Sequence, residues 1–190
     1  MKYLFSAVVA SALMTGAAFA DNVGATPNWT GFYAGGQLGY ANVELSVGGV
    51  SSDESGVIGG LVAGYDYDLG AFVVGAGFDY DWSDIGDSSA GVSLDLDSIW
   101  RAKLRGGYKI GNGLLYATAG YAEATVSASV AGLSVDADDD GYFAGAGYDH
   151  MVAPNMSLGG ELLYHEFDNF LSSGVDADTF TAQIRATYRF

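Results

Sequence analysis

The last eleven residues, 180–190, read FTAQIRATYRF and alternate strictly between apolar and polar side chains. Successive side chains of a β-strand point to opposite faces, so this alternation predicts one long strand. The apolar positions hold phenylalanine, alanine, isoleucine and tyrosine, whereas the polar positions hold threonine, glutamine and arginine. The segment therefore predicts a strand that lies between two different environments.

Seven further segments repeat this alternation. In one of them Trp100 and Ala102 alternate with Arg101 and Lys103. The segments span residues 32–41, 57–68, 72–82, 98–110, 115–123, 142–149 and 158–165. Together with the C-terminal segment, they predict eight strands and an all-β fold.

The connections between the predicted strands alternate in length. Those at 69–70, 111–113 and 153–155 are short and contain the glycine, proline or asparagine that tight turns need. The others are longer and polar, so we predict loops at residues 46–54, 83–95, 127–140 and 168–177. Short turns at one end and long loops at the other predict an up-and-down meander.

The composition excludes several classes of protein. The chain has 29 glycines, roughly twice the usual ~7%, and 13 tyrosines and 10 phenylalanines. Glycine disfavours helix interiors, and the aromatic content excludes intrinsic disorder. A net charge of −16 excludes a nucleic-acid partner, because phosphates need a basic surface. Without cysteine, neither a disulfide nor a thiolate metal site can form.

The first twenty residues have the three parts of a secretory signal peptide. Lys2 supplies the positive start, an apolar run follows, and Ala18 and Ala20 form a small-x-small cleavage site. The apolar run is shorter than the ~20 residues that a membrane-spanning helix needs. We predict a cleavable leader at 1–20, a short N-terminal segment at 21–29 and one domain at 30–190.

The two faces of the predicted strands differ in chemistry. One is almost entirely alanine, leucine, valine and isoleucine, with aromatic residues toward the strand ends. The other is rich in glycine and holds every lysine and arginine that follows the leader. We predict that this second face lines a lumen with a charge network of Asp66, Asp79, Asp81, Arg101, Lys103, Arg105, Lys109, Asp149, Glu161, Arg185 and Arg189.

An apolar face turned outward fits a barrel in lipid, bordered by interfacial aromatic belts. Such a barrel has to close, because hydrocarbon does not tolerate bare sheet edges. Phe143 and Leu163 interrupt the charged face. The expected fold is an eight-stranded antiparallel up-and-down transmembrane β-barrel. A soluble β-sandwich is the alternative, and it would have to accommodate all these bases on the glycine-rich face.

Three motifs resemble the small outer-membrane β-barrel (porin-like) family. They are WTGFYAGG at 29–36, RAKLRGGY at 101–108 with LLYATAG at 114–120, and the terminal YRF. The resemblance implies an outer-membrane surface protein of a Gram-negative bacterium, folded like the transmembrane domain of OmpA-type proteins. It also implies that Tyr188 and Phe190 belong to the signature that the outer-membrane assembly machinery recognises.

The resemblance leaves the function open, because relatives are variously described as structural proteins, surface antigens or small pores. We expect a structural role in membrane integrity, with the lumen plugged by its charges. A small ion or solute channel is one alternative, and adhesion through the long loops is another. A channel is favoured by the room left at the inward glycines, Gly35, Gly39, Gly60, Gly64, Gly75, Gly77, Gly145 and Gly147.

We expect neither catalysis nor a cofactor. His150 and His165 are the only histidines, and no motif sets a serine beside them. Residues 136–141 imitate the start of an EF-hand loop, but Gly147 stands where its bidentate glutamate belongs. The expected partners are outer-membrane lipid, lipopolysaccharide and the assembly machinery, with weak divalent-cation contacts at the acidic loops.

Overall fold

The computed structural model describes residues 27–47, 50–89, 92–130, 133–170 and 175–190. They form eight strands: β1 (Gly31–Val47), β2 (Val50–Asp68), β3 (Phe72–Ser89), β4 (Val92–Ile110), β5 (Gly113–Val130), β6 (Leu133–Ala153), β7 (Met156–Phe170) and β8 (Val175–Arg189). No helix within these ranges is long and apolar enough to cross a membrane. The predicted leader with Ala18 and Ala20 lies outside the described residues, as does most of the 21–29 segment.

The sheet closes on itself. Each strand pairs antiparallel with its neighbours in the chain, and β1 also pairs with β8. This last seam runs from Tyr33 opposite Arg189 to Ser46 opposite Asp176. Closure gives the backbone N–H and C=O groups of the wall partners within the sheet, which hydrocarbon cannot supply. The prediction of an eight-stranded antiparallel up-and-down barrel is confirmed.

Three tight turns join β2 to β3, β4 to β5 and β6 to β7, as predicted, at what we call the turn end. Gly70 and Gly111 have φ angles of 98° and 59°. Glycine adopts this left-handed region without a Cβ clash. The N–H of Leu69 donates to the Phe72 carbonyl at 2.8 Å. We call the opposite end of the barrel the far end.

The predicted long loops are mostly strand. β1 and β2 stay paired up to Val47 opposite Val50, and β5 and β6 up to Val130 opposite Leu133. The loop predictions at 46–54, 83–95, 127–140 and 168–177 are therefore wrong wherever these residues are described. Polar composition favours loops in a sequence, but the ladder of an antiparallel pair is made by backbone groups, so strands with polar side chains can also pair.

Irregular pairing interrupts the ladder in the far half of the barrel. Register shifts occur between Trp82 and Ile85, between Leu96 and Ser98, and in β7–β8 after Phe167. β-Bulges are common at barrel rims, where they bend the strand and increase its twist. The pairs β1–β2, β5–β6 and β1–β8 continue to the far end without such a shift, and a fourth shift, between Met151 and Ala153, lies at the turn end.

The outside of the barrel is apolar. Leu104 is 70% exposed and Ile184 63%. Outward aromatic side chains near the turn end form a turn-side belt: Phe32, Tyr65, Phe72, Tyr108, Tyr148 and Tyr188. A second group, the far belt, consists of Tyr40, Trp82, Trp100, Tyr121, Tyr142, Tyr164 and Phe180.

The two belts lie one membrane thickness apart. Phe72 and Trp82 are ten positions apart on β3, which is roughly 33 Å along a strand. A strand tilt of about 40° reduces this to about 25 Å, the height of the apolar band of outer-membrane barrels. The strands continue beyond the far belt, so the barrel wall projects out of the hydrocarbon layer.

We expect the cost of an outward charge to depend on depth. Leu104 lies midway between Trp100 and Tyr108 on β4, whereas Ile110 ends that strand. Leu104→Arg should lower the free energy of unfolding by ~2–4 kcal/mol and Ile110→Arg by no more than ~1 kcal/mol. Urea titration of the barrel in lipid vesicles measures both, and equal losses would contradict the assigned membrane position.

Candidate functional site: the barrel lumen

The structure turns all eleven of the predicted network residues toward the lumen. Five acids and five bases are buried to 6% exposure or less: Asp66, Asp79, Asp81, Asp149, Glu161, Arg101, Lys103, Arg105, Arg185 and Arg189. Lys109 lies at the turn end, with its side chain 10% exposed. The alternation of each strand explains this placement, because every second residue of a barrel wall points inward.

Glu161 on β7 is the hub of the central layer. Its carboxylate accepts hydrogen bonds from Lys103 Nζ at 3.0 Å and from Arg185 Nη1 at 2.9 Å. The Tyr116 hydroxyl donates to it at 2.8 Å and Gln183 Nε2 at 2.9 Å. Strands β4, β5, β7 and β8 therefore meet at one carboxylate across the lumen.

Asp79 on β3 completes the central layer. Lys103 Nζ donates to its Oδ2 at 2.6 Å, and Arg185 Nη2 lies 3.6 Å from its Oδ1. Two cations thus lie between two carboxylates, Asp79 and Glu161. Charges that are buried this deeply need such pairing, since each is costly to remove from water.

A second layer lies next to the central one, toward the far end. Arg101 Nη2 donates to Asp81, and Gln37 Nε2 lies 2.8 and 2.9 Å from the two oxygens of the same carboxylate. Arg101 Nε is also 3.8 Å from Asp79 Oδ2. The Asp79–Arg101 approach connects this layer to the central one.

A third layer lies toward the turn end. Arg105 donates from Nε and Nη2 to the two oxygens of Asp66, at 2.8 and 2.5 Å, and from Nη1 to Asp149 at 3.0 Å. Arg189 Nη2 donates to Asp66 at 2.7 Å. The two-pronged contact of Arg105 fixes the guanidinium in one plane, as carboxylate–arginine pairs do.

Two tyrosines fill the space around Arg105. Its guanidinium carbon lies 4.6 Å from the Tyr33 ring centre and 5.1 Å from that of Tyr116. A Cβ placed at Gly77 would lie 2.8 Å from the Tyr33 hydroxyl. The room at inward glycines is thus occupied by neighbouring side chains, and Gly75 and Gly147 likewise face Asp66 and Tyr116.

Trp29 closes the turn end. It is fully buried, in a cluster with Val73, Leu114, Tyr116 and Met151. The Asp68 carboxylate accepts the Trp29 backbone N–H at 3.1 Å and Lys109 Nζ at 2.8 Å. Arg189 donates to the Trp29 carbonyl and lies 5.2 Å from the centre of its ring. Residues just before β1 are therefore held inside the barrel mouth.

An apolar layer lies on the other side of the charges, toward the far end. It consists of Ile99, Ala122, Ala124, Phe143 and Leu163. The Phe143 ring centre is 5.3 Å from that of His165, which is also buried. Phe143 and Leu163, the residues that interrupt the polar alternation, thus belong to one packed layer inside the lumen.

The predicted charge network leaves out several uncharged lumen residues. Tyr33, Gln37, Tyr116 and Gln183 share the inward phase of their strands, so the alternation places them in the lumen, but it does not indicate that they contact the charges. Trp29 begins the WTGFYAGG motif but precedes β1, so the alternation of the strands does not predict that it fills the lumen. In the described part of the chain, no three histidine, aspartate or glutamate side chains are grouped to hold a metal ion.

Comparison with known proteins agrees with this architecture. The family of outer membrane protein beta-barrel domains matches residues 5–190. A 22 kDa outer membrane protein of Rhizobium leguminosarum bv. viciae is 31% identical over 156 residues, which cover 80% of this chain and 69% of that protein.

Two solved structures share the fold. Ail, the attachment invasion locus protein of Yersinia pestis, solved in complex with the heparin analogue sucrose octasulfate, has a TM-score of 0.58 and 18% identity, over 84% of this chain and 99% of Ail. Neisserial surface protein A has a TM-score of 0.56 and 16% identity, over 85% of this chain and 98% of that one. The chain thus belongs to the outer membrane protein β-barrel domain family and is a protein of the outer membrane.

Proposed function

We propose that this protein is a structural component of the outer membrane, with a closed lumen and no catalytic activity. The observation that carries the proposal is the filled interior, in which charged layers lie between two apolar ones. A barrel of eight strands has an interior just wide enough for side chains to fill. We infer that this interior stabilises the wall and blocks a continuous path for water through the described residues.

The charge balance of the lumen supports this role. Five buried acids face five buried bases, and Asp68 pairs with Lys109 at the turn end. A pore that selects ions by charge needs an excess of one sign along its lining. A balanced set of short contacts instead links the strands to one another across the lumen.

The apolar layers also argue against a channel. Trp29 lies at the turn end and Phe143 on the far side of the charges, each in a packed cluster. Hydrophobic constrictions stop ion flow because water leaves them. The two clusters lie on opposite sides of the charges and would each act as such a constriction, so an ion that passed one would meet the other.

The hydrogen bonds that the Glu161 carboxylate accepts support the absence of catalysis. A hydrolase triad needs a carboxylate that orients a histidine beside a nucleophile. Glu161 lies four positions before His165 on the same inward face of β7, but its oxygens accept donors from Lys103, Arg185, Tyr116 and Gln183.

We further propose that the assembly machinery recognises the C-terminal Tyr188 and Phe190. Both point outward, 45% and 78% exposed, at the end of the strand that closes the barrel. At the far end, the acidic strand extensions are proposed to contact lipopolysaccharide phosphates through weakly held divalent cations. The sequence supports an intermediate cation there, since no lysine or arginine occurs between Lys2 and Arg101 or between Lys109 and Arg185.

Adhesion is the second candidate, favoured by the strand extensions beyond the far belt. Ail was solved in complex with the heparin analogue sucrose octasulfate, whereas the far end of this chain carries acids and no lysine or arginine. An adhesion partner that contacts this end without a bridging cation would have to be cationic or neutral. Shortening the β5–β6 hairpin while the barrel stays folded tests this candidate, because loss of cell binding would support it.

We expect Glu161→Gln to lower the free energy of unfolding by ~3–5 kcal/mol, because it leaves Lys103 and Arg185 with an uncompensated buried charge. Glu166→Gln is the matched control, since Glu166 is on the same strand but points outward and is exposed. Its effect should stay within about 0.5 kcal/mol. Urea titration in lipid vesicles measures both variants, and similar small effects would contradict the structural role of the network.

We expect the folded barrel to give no steady current steps in a planar lipid bilayer, because both apolar layers exclude water. A general porin added to the same bilayer is the positive control. The shift in gel mobility on boiling verifies that the test protein is folded. Reproducible steps from folded protein would replace the structural proposal with a channel.

The Trp29→Ala variant should also give no steady current steps in a planar lipid bilayer. The layer around Phe143 and Leu163 still closes the lumen when the turn-end layer is weakened. The substitution should nevertheless lower the free energy of unfolding by ~3–5 kcal/mol, the usual cost of deleting a buried tryptophan side chain. Current steps from this single variant would show that the far layer is not a seal.

A further inference from the structure

The polarity of the barrel wall reverses beyond the far belt. Between the two belts the outer face is apolar, and the lumen face holds the charges. Past the far belt, Asn42, Ser55, Asp140 and Glu166 are exposed on the outer face. The positions that continue this face in β1, β2, β4, β5 and β6 are polar: Glu44, Ser46, Ser51, Asp53, Ser93, Asp95, Ser127, Ser129, Ser134, Asp136 and Asp138. A wall that has left the hydrocarbon layer meets water, which explains this polar face.

The lumen face of the projecting wall is largely apolar. It continues from Ala41 on β1 and Ala124 on β5, which are both buried. The strand register places the following residues on it: Val43, Leu45, Leu94, Leu96, Val126, Ala128, Val135, Ala137 and Ala177. Apolar residues inside and polar residues outside are typical of a water-soluble barrel, and they reverse the pattern that crosses the membrane.

We call this part of the interior the far cup. Its floor is the packed apolar layer that contains Phe143 and Leu163. On the other side of the floor, large residues such as Trp29, Tyr116 and Arg101 fill the lumen. The residues on the lumen face of the cup are mainly valine, leucine and alanine, which are smaller. An eight-stranded barrel that its own side chains do not fill has room for one small ligand.

The connections at the far end are too short to fold back into the cup. β1 ends at Val47 and β2 begins at Val50, and the β3–β4 and β5–β6 connections have the same length. β7 and β8 are separated only by residues 171–174. The chain before β1 is held at the turn end, where the Trp29 N–H donates to Asp68. A second copy of the barrel is too wide to enter, so the occupant is a small molecule.

Acidic residues select the charge of this occupant. Three of them share the lumen-face positions of the cup: Glu54, Asp87 and Asp139. No lysine or arginine occurs in the segments that form the cup, residues 43–54, 85–96, 126–139 and 167–177. Carboxylates next to apolar surroundings are stabilised by a cation, and they repel another carboxylate. The charges therefore favour a cationic amphiphile over a fatty acid.

We propose that the far cup binds one small amphiphilic cation, an apolar chain that ends in a quaternary or protonated amine. The apolar chain replaces water along the lumen face, and each methylene that it buries strengthens binding roughly fourfold. The positive group lies near Glu54, Asp87 and Asp139. The cup is on the water side of its floor, so binding requires no conducting path through the barrel.

The first test compares two probes of equal chain length. Octyltrimethylammonium and octanoate are titrated by calorimetry into the folded protein in nanodiscs of zwitterionic lipid, and the heat from empty nanodiscs is subtracted. Octyltrimethylammonium should bind saturably, with one molecule per barrel, and octanoate at least tenfold more weakly. Absence of saturable heat, or equal binding of the two probes, would overturn the proposal.

Two pairs of neighbouring residues locate the site, because each pair has one member on either face of the wall. Ala128→Trp should fill the cup and lower the affinity for octyltrimethylammonium at least tenfold, whereas Ser127→Trp on the outer face should leave it unchanged. Asp139→Asn should weaken binding by up to about fivefold, the effect of one ion pair near water. Asp138→Asn is its control, with no effect expected.

Equal affinities within both pairs would show that the probe binds elsewhere on the acidic wall, which contradicts the cup. The shift in gel mobility on boiling verifies that each variant is folded. If Ala128→Trp lacks this shift, the Asp139 and Asp138 variants decide alone, since replacing aspartate by asparagine preserves the shape of the side chain.

Discussion

The carboxylate of Glu161 connects strands that lie far apart in the chain. It accepts donors from Lys103 and Arg185 across the lumen, as well as from Tyr116 and Gln183. Inside a cylinder surrounded by lipid, water is not available to solvate these cations, so their stability depends on carboxylates placed within hydrogen-bond distance. Each contributing strand has to keep these residues on its inward face. A shift of one residue would point their charged side chains outward into the hydrocarbon layer.

The closed wall and the charged interior depend on each other. Closure is required because the bilayer core offers no partner to an unpaired backbone edge. Closure at eight strands also leaves a narrow lumen, in which bulky side chains fit only where the opposite wall is small. Gly64 and Gly77 provide that space for Tyr33, and Gly147 provides it for Tyr116. The space at these three glycines is thus occupied by tyrosine rings.

The two ends of the barrel are built differently. At the turn end, Asp68 holds both Lys109 and the backbone of Trp29, so the chain before β1 becomes part of the plug. At the far end, the wall continues past the aromatic belt as paired strands. Acidic residues concentrate there without any lysine or arginine. The interior is therefore electrically balanced, whereas the sequence of the projecting strands is strongly acidic.

The sequence by itself determined the strands, their phase and the lipid-facing side, because side-chain alternation is a local property that each strand carries alone. It placed Arg101, Lys103 and Arg105 on the inward face, but it did not identify the residues with which they pair. Only the tertiary structure decided that Lys103 meets Glu161, 58 positions away, that Trp29 fills the mouth, and that the polar stretches continue as strand. Those features depend on strand register and barrel closure, which bring distant segments together and produce no periodic pattern in the sequence.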